Sequence, residues 1–122
     1  MARHNDLGKW GEDLACEKLV SEGYAIVERN WRSGHNEIDI IASRGSRIIF
    51  AEVKTRSEAD IDPLEAIDDG KISRLARAAH SYIVSHDVVL EPQFDVFGIS
   101  GIPGDYKLEH IPDAFFPPLK TY

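Results

Sequence analysis

Residues 37–54 constrain the fold of this chain more than any other stretch. Two apolar runs, Glu37-Ile38-Asp39-Ile40-Ile41-Ala42 and Arg47-Ile48-Ile49-Phe50-Ala51-Glu52-Val53-Lys54, flank a four-residue segment, 43–46, that contains Gly45. Short runs rich in isoleucine on either side of a glycine turn predict an antiparallel hairpin. Side chains alternate between the two faces of a strand, so Glu52 and Lys54 share one face while Val53 points into the opposite layer. Folding about Arg44-Gly45 sets Asp39 roughly opposite Glu52, and opposed Cβ atoms lie about 4.5–5.5 Å apart. Two carboxylates and an ammonium then share a patch one or two side chains wide.

Carboxylates that close repel, and one takes up a proton unless a cation intervenes. Mg²⁺ prefers hard oxygen ligands and often uses one or two carboxylates plus waters and phosphate. Lys54, on the same face, could orient an attacking water or stabilise charge developing on phosphate. Metal, water and phosphate together describe hydrolysis of a phosphodiester. Against this stands the plainer account, in which Glu-x-Lys on a strand is an exposed ion pair and Asp39 a solvent-facing residue. The setting favours the site: these acids lie among Ile38, Ile40, Ile41, Phe50 and Val53, where an idle surface pair is out of place.

Around the hairpin, residues 7–22 predict a helix, with Leu7, Gly11, Leu14, Ala15 and Leu19 facing a core. Asn5 or Asp6 would cap it and Gly23 would end it. Residues 24–31 predict a strand, as do 94–99 and, more weakly, 106–111. Residues 71–85 predict a second helix striped by Ile72, Leu75, Ala76, Ala79 and Ile83. Asp62-Pro63-Leu64-Glu65 has the form of a further helix start, with Gly70 interrupting that helix or dividing it from the next. The tail, 112–122, is proline-rich and expected to be irregular. The order helix, three strands, helix, two strands predicts an α/β fold with a mixed central sheet flanked by helices. The length of 122 residues suits one domain.

A net charge of −7 argues against indiscriminate DNA binding, which needs positive charge facing phosphates. The distribution softens that objection. Residues 29–56 hold Arg29, Arg32, Arg44, Arg47, Lys54 and Arg56 against the acids Glu37, Asp39 and Glu52, whereas residues 58–69 hold acids and no base. A mixed solvated surface is the alternative. The single cysteine, Cys16, has no internal disulfide partner and reads as structural. No apolar run is long enough to span a bilayer, and the first ten residues lack a signal-peptide core, so a cytoplasmic location is expected. His4, His35, His80, His86 and His110 show no metal-ligand spacing, although His35 lies near Glu37. Trp10 and Trp31 could stack on bases, but packing is the commoner role.

Several landmarks recur in one order: Gly8-x-x-Gly11-Glu12-x-x-Ala15, Gly23-Tyr24, Arg29-Asn30-Trp31-Arg32, the Glu37–Ala42 run, and Glu52-Val53-Lys54-Thr55-Arg56. Lys71, Phe94-Asp95-Val96, His110-Ile111 and Ala114-Phe115 follow. In these the chain resembles the bacterial YraN-like proteins over roughly residues 6–116. That largely uncharacterised family is predicted to have the restriction-endonuclease-like fold and is related in pattern to archaeal Holliday-junction resolvases. The resemblance implies a three-layer nuclease core with Mg²⁺ or Mn²⁺ as cofactor and Asp39, Glu52 and Val53 as metal-binding residues. It implies that Lys54 assists the water, and that an acid from the first helix, Glu12, is the fourth catalytic residue. Glu12 read alone is a solvated helix residue. Glu37 would stand at the rim. Two positions depart from the pattern: Asn36 replaces a glycine before Glu-Ile-Asp, and Gln93 replaces a basic residue before Phe-Asp-Val.

The expectation is therefore a metal-dependent endonuclease acting on DNA, including branched or structured DNA, with Arg29, Arg32, Arg56, Lys71 and Arg74 contacting phosphates. No membrane partner is expected, and a two-fold substrate suits a homodimer. A non-catalytic nucleic-acid- or protein-binding module on the same scaffold is the alternative, and a metal that only stabilises the fold is a third account.

Overall fold

A computed structural model of the chain describes residues 3–57 and 67–115, the side chains of residues 3–5 excepted. These residues form α1 (Arg3–Ser21), β1 (Ala25–Ser33), β2 (Asn36–Arg44), β3 (Arg47–Arg56), α2 (Asp69–Ser85), β4 (Glu91–Ile102) and β5 (Asp105–Ile111). The strands make one sheet in the order β1-β2-β3-β4-β5. Neighbours are antiparallel except β3 and β4, which are parallel. Parallel neighbours need a crossover, and α2 lies in it.

The two helices cover opposite faces. Ala15, Cys16 and Leu19 of α1 pack on Ile40, Ala42, Ile49, Ala51, Phe97 and Ile99. Leu75, Ala78, Ala79 and Tyr82 of α2 pack on Ile38, Ile41, Ile48, Phe50 and Phe94. A sheet covered on both faces needs apolar side chains at consecutive positions, which is why β2 and β3 read as continuous runs rather than alternating ones. The result is the expected α/β fold in three layers, helix, mixed sheet and helix, compatible with a nuclease-like core. None of the described helices is long and apolar enough to cross a membrane.

Several boundaries move. The first helix begins at Arg3, so Asp6 stands in its first turn rather than capping it; Gly23 does follow its end, where the Tyr24 N–H donates to Leu19 O at 3.0 Å. Gly70 does not break a helix. It is the second residue of α2, whose cap is Asp68. The helix start expected at Asp62 lies outside the described residues, as does the tail from residue 116. β4 runs longer than the apolar stretch 94–99 because Arg47 to Arg56 of β3 pair with it along their whole length. Asn36 is not the left-handed residue of its turn. Gly34 takes that conformation (φ 61°), and Asn36 opens β2 paired with Ser33.

Gly11 marks a close approach of α1 to the sheet. A Cβ there would collide with Thr55 Oγ1 and lie 3.2 Å from Thr55 Cβ, and Thr55 is short, branched and held in β3. Gly11→Ala is expected to destabilise the chain by about 1–3 kcal/mol through overpacking. Gly8→Ala meets nothing within 4 Å and should gain up to about 1 kcal/mol from helix propensity. Urea midpoints moving the same way for both variants would remove the close approach as the cause.

Candidate functional site

The β2–β3 ladder runs from Arg44↔Arg47 through Ile41↔Phe50 to Ile40↔Ala51. One further step in this register brings Asp39 beside Glu52, as the hairpin reading required. Here the strands part. The Asp39 side chain fills the opening, and its Oδ2 accepts the Val53 N–H at 2.8 Å. A side-chain oxygen thus takes the role that main-chain carbonyls have further along the ladder. It is the bond to Asp39 found among the described residues, and it leaves Oδ1 available.

Beyond that parting lies a pocket of about 160 Å³, lined by His35, Glu37, Asp39, Glu52, Lys71 and Arg74, with Asn36 and Leu75 completing its wall. Its residues come from the β1–β2 turn, β2, β3 and the first two turns of α2. Glu52 is 4% exposed. Its Oε2 stands 3.1 Å from Lys71 Nζ. Burial first, and then the Glu52 charge, push the Asp39 carboxyl up to about 8; Glu12 and Glu37 push the same way, and the Val53 N–H opposes them.

Lys54 falls on the Glu52 face of β3 by alternation, but the pocket is not lined by it. The ammonium at the carboxylates comes from Lys71 instead, a residue expected to contact phosphate. Val53 turns its side chain toward the α1 core and its N–H to Asp39. Glu12 also stays off the pocket wall. Asn30 Nδ2 donates to its Oε1 at 3.1 Å and Arg29 Nη2 lies 3.5 Å away, so it is held rather than loosely solvated. Asn30 does this from a left-handed backbone (φ 53°), which asparagine tolerates better than most residues.

The five expected phosphate contacts divide. Lys71 and Arg74 line the pocket. Arg32 pairs with Glu37 at 3.4 Å on its rim. Arg29 is committed to α1, 2.8 Å from Asp13, and holds that carboxyl below its ordinary range. Arg56 is exposed and donates to Thr55 O. His35 lines the pocket from its turn, whereas His86 stacks on Tyr82 at 4.0 Å between centroids, a packing role. Trp31 packs edge-on against Tyr82 and Trp10 against Tyr106. Cys16 is buried, which raises its thiol pKa.

Among the described residues, no three His, Cys, Asp or Glu side chains converge to hold a metal by themselves. The donor set of Asp39 and Glu52 therefore does not suit a closed four-ligand zinc site. It does suit a hard divalent ion that keeps water and takes further oxygens from a substrate. Burial and then the Glu52 charge are what raise the Asp39 pKa, and a bound cation would offset both.

A second polar cluster was not expected. Asp95, fully buried on β4, meets His110 Nε2 at 2.7 Å, Gln93 Nε2 at 2.9 Å and the Asp113 N–H at 3.0 Å. Gln93 also accepts from Arg47 Nη1 at 3.2 Å. The residue standing in place of a basic one is thus a bridge inside the fold. An acid within Phe94-Asp95-Val96-Phe97, a run buried on both faces, is the signal that points to such a network.

The family model of the uncharacterised protein family UPF0102 matches residues 11–99, from the α1–sheet contact through most of β4. A UPF0102 protein of Bacteroides thetaiotaomicron is 43% identical over 120 residues, 98% of this chain and 99% of its own length. One from Flavobacterium psychrophilum is 44% identical over 117 residues, 95% of this chain and 98% of its own, and one from Christiangramia forsetii is 43% identical with the same coverage. The chain therefore belongs to the uncharacterised protein family UPF0102, the family of the YraN-like proteins that its motifs resemble.

Proposed function

We propose that this protein is a divalent-metal-dependent nuclease that hydrolyses DNA phosphodiesters. The observation that carries the reading is the pairing of Asp39 and Glu52 in one pocket whose other wall is cationic, from Lys71 and Arg74. Asp39 and Glu52 would hold Mg²⁺ or Mn²⁺, with Val53 fixing the Asp39 carboxylate through its N–H. The ion, when bound, supplies Lewis acidity toward a phosphate oxygen and a more acidic water. Arg74 and the displaced ammonium of Lys71 present donors to the phosphate oxygens. Lys54, next along the same face of β3, assists the water from outside the pocket wall. Glu12, clamped by Asn30 and Arg29, adds negative charge that favours a cation at Asp39. A pocket that pairs two carboxylates with two cations suits one phosphodiester. Branched or flapped DNA, in which a backbone can be splayed into it, is the proposed substrate class.

A binding module that lacks catalysis is the second reading. The net charge of −7 and the commitment of Arg29 to acids of α1 favour it. Labelled duplex, single-stranded, flapped and four-way-junction DNA should be incubated with wild type, Asp39→Ala and Glu52→Ala in Mg²⁺ or Mn²⁺. Cleavage by wild type that both variants lose supports the nuclease. No cleavage of any substrate, together with no heat of Mn²⁺ binding, leaves the binding module.

A further inference from the structure

The pocket already contains a cation of its own. Lys71 lies in the first turn of α2, where its main-chain N–H is tied to the Asp68 cap at 2.8 Å. Its side chain reaches back until Nζ is 3.1 Å from Glu52 Oε2. Glu52 is nearly inaccessible to water, so its carboxylate depends on that ammonium for compensation. The lysine side chain is 35% exposed, and its four-carbon stem can leave without disturbing the capped backbone. A divalent ion taking Glu52 as ligand arrives within a few ångströms of the same ammonium. Two cations so placed repel even at the moderate effective dielectric of a protein margin. They compete for the one carboxylate of Glu52.

Taking the nuclease reading as its premise, we propose that Lys71 is a resident counter-cation that competes with the divalent ion for Glu52 and so sets the metal affinity of the site. With no metal bound it holds the buried carboxylate. When an ion enters, the ammonium must give up Glu52. The competition makes the site weak for metal alone.

The test is calorimetric titration of the full chain with Mn²⁺ at about 0.15 M salt, which reads binding rather than cleavage. Lys71→Met keeps the stem and removes the charge. Lys71→Arg keeps a charge. Arg77→Met removes an exposed charge from the same helix away from the pocket. Lys71→Met is expected to bind Mn²⁺ at least about tenfold more tightly than wild type, since it deletes that repulsion. Lys71→Arg should stay near wild type, and Arg77→Met should shift by less than about twofold because solvent and salt screen it. The Mn²⁺-induced rise in melting temperature should be largest for Lys71→Met, whose Glu52 lacks a partner until the ion binds. Tight binding by Lys71→Met where wild type shows none would also support the proposal. Wild-type binding with Lys71→Met no tighter than Arg77→Met would overturn it and leave the nuclease reading standing. No Mn²⁺ binding by wild type or Lys71→Met would overturn both.

Discussion

Asp39→Asn is expected to stabilise the metal-free protein while removing the divalent chemistry proposed for its pocket. The Asp39 carboxyl is pushed up to about 8 by burial and by Glu52, against an ordinary value of 3.8. Between those values the folded chain keeps a proton that the unfolded chain has released. Stability from this group therefore falls as pH rises from about 4 to about 8, and the penalty is constant above that. Asn carries no such penalty, has nearly the same shape, and can still accept the Val53 N–H with its amide oxygen. The variant should gain on the order of 2–4 kcal/mol near pH 7.5, with almost no gain at pH 4. Metal binding shows the other side of the same proton. An ion bound as proposed must displace it in wild type, so Mn²⁺ affinity should rise up to about tenfold per pH unit between pH 6 and 7.5. In Asp39→Asn that pH dependence and the metal affinity should both collapse, with at least ~10²–10³-fold less cleavage. Urea unfolding at pH 4, 7.5 and 9 reads the first part and calorimetry the second. A variant less stable than wild type at pH 9 would show that repulsion does not govern Asp39.

The sequence carried the hairpin because two local rules agree there, the glycine turn and the alternation of faces. Their product, Asp39 beside Glu52, needs no distant contact. The three-layer arrangement was legible for a related reason: Ile40-Ile41 and Ile48-Ile49-Phe50 leave no strand face for water, so helices must lie on both sides. What was illegible depends on residues far apart in the chain. Lys71 reaches Glu52 across the crossover, a distance that α2's docking decides and no periodicity encodes. Lys54 occupies the expected face, but the pocket opens where β2 parts from β3, and Lys54 lies past that point. Arg29 looked like a phosphate ligand in a basic stretch, and only the packing of α1 over β1 shows it spent on Asp13 and Glu12. Charge counted along a sequence does not say which charges face each other.

Asp95→Ala should be the most damaging substitution outside the pocket. The Asp95 carboxylate joins three consecutive pieces of chain: Gln93 on its own strand, His110 on β5, and the Asp113 N–H in the turn beyond. Around it Phe97 stacks on His110 at 4.1 Å between centroids, and the Ala114 N–H bonds to Phe94 O at 2.7 Å. Alanine takes the shared acceptor away from the part-buried Gln93 amide, the histidine nitrogen and the Asp113 N–H. Losing one acceptor shared by three partners, at about 1–3 kcal/mol for each group left unsatisfied, should cost on the order of 3–5 kcal/mol, or roughly 10–20 °C in melting temperature for a chain of this size. Asp95→Asn should cost much less, about 1–2 kcal/mol. Its amide oxygen still accepts from Gln93 and Asp113, and its NH₂ can meet His110 where that ring presents a bare Nε2. Asp95 lies on the α1 side of the sheet with Phe97 and Ile99, opposite the face that bears the pocket. Mn²⁺ affinity measured below the melting temperature should therefore stay within about threefold of wild type while stability drops, because sites without shared partners act nearly additively. An Asp95→Ala variant that melts like wild type, or that loses metal binding while still folded, would place this network in the site and not in the scaffold beneath it.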